Sequence, residues 1–229
     1  MKNKKFAIYI SDGVTSSTIN VWISLYKKGL IKDLSVLKSS DFVSDTLKGY
    51  DCVILPGGSG SKICNKLDWV GRQALLNYIN GGGRVLGVCA GAYALSCGYE
   101  WSMGVINYEL VDKQHAHRGE KHMSFKVTEK GKKLLKIKDD LLPDIYYHNG
   151  PVWKKFVEEF QANENILMTF TEDIYTEGGT AGQAIGTPAV IHTAYGSGYV
   201  VAISPHFEKS PGYEYVIRKV LQFLTKTKN

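Results

Sequence analysis

Cysteine, proline and long apolar runs are all scarce in this chain of 229 residues. Its four cysteines, at positions 52, 64, 89 and 97, lack the close pairing of a zinc knuckle or a redox dithiol. A chain of this length can bury a core without disulfides, which favours a reducing compartment. No apolar run approaches the length that spans a membrane, and the run behind the basic start, 6–10, is too short for a signal peptide. We therefore expect a cytoplasmic protein with no membrane partner.

A strong bias of charge is also absent. The 28 basic and 22 acidic residues leave a net charge of +6, and the lysines are scattered, with small groups at the two ends. This pattern is typical of a solvated basic surface, so we expect no nucleic-acid partner. Hydrophobic residues make up 44% of the chain. That content supports one core, and we expect a single domain over residues 1–229.

Short apolar runs of strand length alternate with helical patterns in the first half of the chain. The predicted strands are 6–10, 34–37, 51–55 and 84–88. One predicted helix ends at Gly29, and a second begins with Asp68 as its N-cap and runs to Asn80. Buried strands that alternate with helices are typical of a parallel sheet covered on both faces. The sequence therefore predicts an α/β fold.

The last third of the chain predicts a β-hairpin and a final helix. Its two strands, 189–195 and 199–204, are separated by the turn residues 196–198. Ser210 is the predicted cap of the final helix and Pro211 its first turn. An apolar stripe on that helix is expected to pack on the sheet; it comprises Tyr213, Val216, Ile217, Val220, Phe223 and Leu224. The middle, 104–171, is less regular, with β-type segments at 125–128 and 145–147.

Cys89 stands at the end of the predicted strand 84–88 and is followed by the small residues Ala90, Gly91 and Ala92. A tight turn from strand to helix exposes the side chain at its apex, and the start of the following helix favours a thiolate. The alternative is an ordinary buried cysteine, and this segment alone does not decide between them. The pattern makes Cys89 a candidate nucleophile.

The second candidate group is His206 with Glu208, directly after the last predicted strand. An acid two residues beyond a histidine in an extended segment can orient the imidazole, so that its other nitrogen faces a nucleophile. The alternative is a surface loop with two solvated side chains. The presence of the cysteine turn favours the first interpretation.

Taken together, these motifs resemble the class I glutamine amidotransferase superfamily, in which a turn cysteine is followed much later by a His-x-Glu motif. More narrowly, four stretches look like the amidotransferase-like N-terminal domain of biotin-protein ligases and its stand-alone bacterial relatives. They are PGGSGSK, INGGGRVLGVCAGAYALS, YYHNGPVW and SPHFE. The resemblance implies a flavodoxin-like, mostly parallel sheet with helices on both faces, and it covers nearly the whole chain.

The resemblance also implies roles for individual residues. Cys89 would attack a carbonyl, His206 would transfer the proton, and Glu208 would hold the imidazole. Backbone N–H groups would bind the oxyanion, with Ala90 and either Gly57 or Gly58 as the candidates, although these glycines are also explained by a simple turn. Five further candidates would line the pocket: Asp12, Tyr93, Tyr147, His148 and Asn149. We expect no cofactor.

The expected activity is that of a cysteine hydrolase or amidotransferase acting on a C–N bond of a small amide or peptide-like substrate. Working glutaminases usually carry a Leu-Gly-x-Gln run after the nucleophile, whereas this chain has Ala90 to Tyr93, so glutamine is a doubtful substrate. A transferase would need a separate acceptor or ligase protein. Two alternatives are a ligand-binding or regulatory module on the same scaffold and redox sensing by Cys89.

Two weaker signals do not alter this interpretation. The stretch from Gly57 to Lys62 lacks the spacing of a phosphate-binding loop. His115, His117 and His122 lie in a charged stretch without a matching carboxylate pattern, so we expect a solvated loop and no metal site.

Overall fold

The computed structural model describes residues 3–111, 119–154, 165–174 and 182–226. Its strands are β1 (Phe6–Tyr9), β2 (Leu34–Leu37), β3 (Cys52–Leu55), β4 (Arg84–Val88), β5 (Glu120–Val127), β6 (Leu141–His148), β7 (Ile166–Phe170), β8 (Pro188–Tyr195) and β9 (Gly198–Ile203). Its helices are α1 (Ser16–Lys27), α2 (Ser44–Leu47), α3 (Gly60–Asn80), α4 (Ala90–Leu95), α5 (Glu129–Leu135) and α6 (Glu214–Lys226). The strands predicted in the first half and the final hairpin are thus confirmed.

The strands form one mixed sheet in the order β2-β1-β3-β4-β9-β8-β7-β5-β6. The half from β2 to β9 is parallel, and the half from β9 to β6 is antiparallel. The predicted α/β class is confirmed. The parallel half contains the strands that the sequence pattern identified, and the antiparallel half arises from the irregular middle and the hairpin.

Helices cover both faces of the sheet, each with its own hydrophobic core. On one face, α1, α5 and α6 contribute buried side chains such as Trp22, Leu135 and Val220. On the other face, α2, α3 and α4 contribute side chains such as Leu47 and Leu75. Burial of apolar area on both faces stabilises the parallel strands, most of whose residues are apolar. No helix in the described ranges is both long and apolar enough to cross a bilayer.

Helix α3 begins earlier than predicted, at Gly60, and bends at Asp68. The backbone of Asp68 has φ 54° and ψ −165°, which is not helical. Its side chain accepts hydrogen bonds from the N–H groups of Val70 at 2.6 Å and Gly71 at 3.2 Å, so it does cap the second part of the helix. Beside the bend, Trp69, which its helical spacing in the sequence predicts to lie in the core, is instead 69% exposed, so that prediction is wrong.

The predicted cap of the last helix is wrong. Five of the six residues predicted for its apolar stripe are confirmed as buried, and the sixth, Tyr213, precedes the helix and is only half-buried. Helix α6 begins at Glu214, beyond Ser210 and Pro211. The Ser210 hydroxyl instead donates to the carbonyl of His206 at 2.7 Å and accepts from the N–H of Tyr146 at 3.0 Å. These bonds fix the segment after β9 to strand β6, so the hydroxyl is used there and does not cap a helix.

Candidate active site

Parallel strands bring the candidate residues to one edge of the sheet. In the pairing of β4 with β9, Val88 lies opposite Ile203, and the next N–H, that of Cys89, donates to the carbonyl of Ile203 at 2.8 Å. The segment after Ile203 therefore leaves the sheet beside Cys89. Strand β3 is the other neighbour of β4, and its following loop, 56–60, emerges at the same edge.

The backbone at Cys89 has the strained conformation of an elbow. Its φ of 49° and ψ of −102° are rare for a residue with a Cβ, and helix α4 begins at the next residue. The turn is crowded: a Cβ on Gly91 would lie 2.0 Å from the carbonyl oxygen of Leu55. The Gly91 N–H also donates to the carbonyl of Pro56 at 3.1 Å. The predicted elbow is confirmed, and the packing explains why small residues follow the cysteine.

His206 and Glu208 form a buried pair. The Nδ1 atom of His206 and the Oε1 atom of Glu208 are 2.6 Å apart, and each residue is only 3% exposed. The other carboxylate oxygen, Oε2, has no hydrogen-bond partner among the described residues. A buried carboxylate is costly unless it is paired, so His206 is what compensates this charge. The pair therefore fixes the orientation of the imidazole ring.

The charge environment favours a protonated His206. Burial lowers the pKa of His206, but the negative charges of Glu208 and Cys89 and hydrogen bonds to both outweigh it, so that the pKa lies above the ordinary value for histidine. The ring is thus suited to hold a proton that it receives from a neighbouring group.

Cys89 and His206 are neighbours across Gly57. A Cβ placed on Gly57 would lie 2.8 Å from the Cε1 atom of His206 and 3.7 Å from the Cβ of Cys89. The Cys89 thiol donates to the carbonyl of His148, with 3.4 Å between Sγ and the oxygen. The absence of a side chain at position 57 therefore leaves the space in which the thiol and the imidazole meet.

Replacing Glu208 by Gln is expected to lower the pKa of His206. The substitution keeps the size of the side chain and removes its charge, so the effect of burial, which lowers the pKa, is no longer outweighed by that carboxylate. The measurement is an NMR pH titration of the His206 ring. The matched control is Glu120→Gln, which removes an exposed carboxylate held by Tyr146 instead. An unchanged His206 titration in Glu208→Gln would show that the pair does not set the charge of the ring.

A cavity of about 800 Å³ opens in front of Cys89 and His206. Its walls come from the segments 13–18 and 58–62, from α4 and the loop after it, and from the ends of β6 and β9. Six of the predicted residues line it: Gly58, Cys89, Tyr93, His148, Asn149 and His206. Gly57 lies against the Cys89–His206 pair, and Ala90 is buried at the start of α4. The volume is that of a small-molecule site.

Two predicted pocket residues lie elsewhere. Tyr147 is fully buried, and its hydroxyl donates to the carbonyl of Gly150 at 2.7 Å. Successive side chains of a strand point to opposite faces, so Tyr147 enters the core while Tyr146 and His148 point to the other side. The carboxylate of Asp12 is exposed and lies 3.6 Å from the ammonium of Lys66, outside the cavity lining. Neither residue lines the cavity.

Sequence reasoning missed one wall of the cavity. Tyr99 and Trp101, in the loop after α4, stack with ring centroids 4.5 Å apart and an interplanar angle of 14°. Lys209, directly after Glu208, also lines the cavity. The two aromatic residues had no signal in the sequence, because an irregular loop has no periodicity to place its side chains. The position of Lys209 beside the His-x-Glu motif was the one available signal.

The residues considered for a metal do not form a cluster in the described part of the chain. His122 is partly exposed, and its Nδ1 lies 2.9 Å from the Oδ1 of Asp144. His115 and His117 lie outside the described residues.

Solved structures identify the class of fold. PurLQS of Thermotoga maritima aligns with a TM-score of 0.65 at 16% identity, over 96% of this chain and 99% of that chain. A glutamine amidotransferase aligns with a TM-score of 0.61 at 15% identity, over 97% and 99%. A ThuA-like protein from Bacteroides uniformis aligns with a TM-score of 0.62 at 13% identity, over 98% and 93%. The chain has a glutamine amidotransferase-like fold, and at these identities the likeness shows the fold alone.

The family follows from the sequence. The family described as "Biotin-protein ligase, N terminal" matches residues 5–226, and the chain belongs to this family. The resemblance drawn from the motifs is therefore confirmed. No curated protein matches the chain.

Proposed function

We propose that this protein is a cysteine-dependent hydrolase or amidotransferase that cleaves the C–N bond of a small amide or peptide-like substrate. The observation that carries the proposal is the buried contact between His206 and Glu208 at 2.6 Å, placed beside the elbow of Cys89 and open to a cavity. A nucleophile, a base and a group that orients the base are the parts that acyl transfer requires.

The chemistry divides into two steps. His206 first takes the thiol proton, the Cys89 thiolate then attacks the amide carbon, and the protonated His206 gives its proton to the leaving nitrogen. The C–N bond breaks, an amine or ammonia departs, and a thioester remains on Cys89. Water, deprotonated by His206, attacks the thioester and releases the acid and the thiol. Glu208 positions the ring throughout and stabilises its charged form.

Backbone N–H groups supply the oxyanion site in this proposal. The N–H of Ala90 is the first of helix α4 and has no acceptor within the described ranges, whereas that of Gly91 is occupied by Pro56. Gly57 and Gly58 stand opposite, in the loop after β3, and their N–H groups likewise have no acceptor there. Donors on two sides of the carbonyl would stabilise the developing negative charge.

The buried pair favours catalysis over a binding module. A module that only binds a ligand needs the cavity, but it gains nothing from a carboxylate buried behind the cavity with one oxygen unpaired. Such a group lowers stability and is retained where it serves chemistry. The strained backbone of Cys89 supports the same choice.

The proposal is tested by nitrogen release from a panel of small amides, including glutamine, N-acyl amino acids and dipeptides. We expect the wild-type protein to release ammonia or an amine from at least one of them. Cys89→Ala is expected to reduce the rate by about 1,000-fold or more, because no other group can form the thioester. The control is Cys97→Ala, which removes a half-exposed thiol whose Sγ contacts the carbonyl of Tyr108.

Intact-mass measurement during turnover adds a direct check. The proposal expects an adduct of the acyl mass on the wild-type chain and none on Cys89→Ala. Equal release by wild type and Cys89→Ala, or no release from any amide by a folded wild-type protein, would contradict catalysis and leave the binding module in its place.

A further inference from the structure

The described lining of the cavity carries positive charge without negative charge. Lys62 and Lys209 line it, and none of its described lining residues is Asp or Glu. The ammonium of Lys209 lies over the ring of Tyr146, 5.9 Å from the centroid. Lys62 is exposed and has no carboxylate within ion-pair distance among the described residues. Lys62 is therefore the cation that is free to contact a ligand.

The start of helix α3 adds to this charge. Residues 58–62 line the cavity. The first hydrogen bond of helix α3 is donated by the N–H of Ile63 to the carbonyl of Ser59, at 3.0 Å. The earlier N–H groups at a helix start carry a partial positive charge. Lys62 belongs to this first turn, so its charge and that of the helix act at the same place.

An aromatic wall adjoins this turn. Tyr99 and Trp101 are stacked, and Tyr93 meets Tyr99 edge-on with centroids 6.3 Å apart. Trp101 lies directly against the start of α3, because a Cβ on Gly60 would be 3.0 Å from its Cη2 atom. Flat aromatic faces bind planar apolar groups. The wall, the cation and Cys89 thus surround a single space.

We propose that the substrate is an amide that bears a carboxylate and a planar apolar group and lacks a free ammonium group, as in an N-aroyl amino acid. The carboxylate binds Lys62, the planar group stacks on the wall of Tyr99 and Trp101, and the amide lies at Cys89. This inference rests on the proposed function for the identity of the reacting bond.

The same charges disfavour free amino acids. The α-ammonium group of glutamine needs a carboxylate or several carbonyl acceptors, and two lysines in the cavity would repel it. An acylated nitrogen has no such charge. The cavity therefore discriminates by charge between an acylated amino acid and a free one, independently of the side chain.

The test compares two probes that differ by one charge, N-benzoylglycine and N-benzoylglycinamide. Binding to the full chain carrying Cys89→Ser is measured by NMR titration, so that the result does not depend on turnover. We expect the acid to bind about tenfold more tightly than the amide, and we expect Lys62→Gln to remove most of that ratio. The matched control is Lys66→Gln, on the same helix, which pairs with Asp12 outside the cavity and is expected to leave the ratio unchanged.

The outcomes separate this inference from the proposed function. Equal affinity for the two probes, a ratio that Lys62→Gln leaves intact, or binding of neither probe overturns the inference. Amide cleavage that depends on Cys89 together with any of these results would leave the proposed function standing. Lys62-dependent binding of the acid without any Cys89-dependent cleavage would support the anionic site and contradict the enzyme.

Discussion

Replacing Val220 by Asp is expected to lower the free energy of unfolding by about 3–5 kcal/mol. Val220 is fully buried on α6, in the core that this helix shares with α1 and the sheet. The substitution removes buried apolar area and places a charge where the valine had only apolar neighbours. A domain of this kind is stabilised by about 5–15 kcal/mol in total, so the loss is a large share of it.

The measurement is urea unfolding followed by circular dichroism, with Arg218→Asp as the matched control. Arg218 is exposed on the same helix, so the same new residue there should change stability by no more than about 0.5 kcal/mol. A Val220→Asp protein as stable as Arg218→Asp would show that α6 does not cover the sheet as described. Failure of only the Val220 variant to accumulate in soluble form would support the burial.

Much of the parallel half of the fold could be predicted because its signals are local. Strands such as Cys52–Leu55 and Arg84–Val88 are buried throughout, and every residue in them except Arg84 is apolar. The elbow at Cys89 could also be predicted from a local signal, the small residues that follow the cysteine. Only small residues fit this turn, because a Cβ on Gly91 would touch the backbone of Leu55. The sequence also indicated that the loop after β3 lies beside the elbow, because the carboxyl ends of neighbouring parallel strands meet at one edge of the sheet.

The errors arose where a local signal competes with tertiary contacts. Ser210 has the sequence of a helix cap, but its hydroxyl is bonded to Tyr146 and His206, and the helix begins later. Tyr147 was placed in the pocket, whereas the alternation of β6 puts its two neighbours on that side instead. A shift of one residue in a strand reverses the face, and the sequence of an irregular region does not fix that register.

The aromatic wall of the cavity could not be predicted from sequence patterns. Trp101, which stacks on Tyr99, meets Gly60 at the start of α3, a contact that neither segment encodes alone. Helix α3 was predicted to begin at Asp68 because that residue is a good cap, and it does cap the part beyond the bend. The helical turns before Asp68 were not predicted, because the glycine and serine residues at their start are typical of a loop.

A second large effect is expected on the reactivity of the Cys89 thiol. An unperturbed cysteine, with a pKa of about 8.5, is only about 3% thiolate at pH 7, so a thiol that is fully activated reacts about 30-fold faster with an alkylating agent. Replacing His206 by Ala removes the group that would accept the proton, and the rate at Cys89 should fall by up to that factor. Glu208→Ala should reduce it less, because the acid acts through the imidazole.

Internal comparisons are available within the same chain. Burial raises the pKa of the Cys52 thiol well above its ordinary range and raises that of Cys64 to about 12. Burial also raises the pKa of the half-buried Cys97. None of these thiols contacts His206 in the described structure, so their rates should be indifferent to His206→Ala. They therefore report any general loosening of the fold that the substitution causes.

Site-resolved alkylation by iodoacetamide at pH 7, read by peptide mass spectrometry on the folded protein, tests the pairing of Cys89 with His206 most directly. We predict that Cys89 reacts fastest of the four cysteines, that His206→Ala slows it by up to about 30-fold, and that Cys97 is unaffected. A Cys89 that reacts no faster than Cys97, or whose rate is unchanged in His206→Ala, would contradict the account and remove the basis for catalysis at this site.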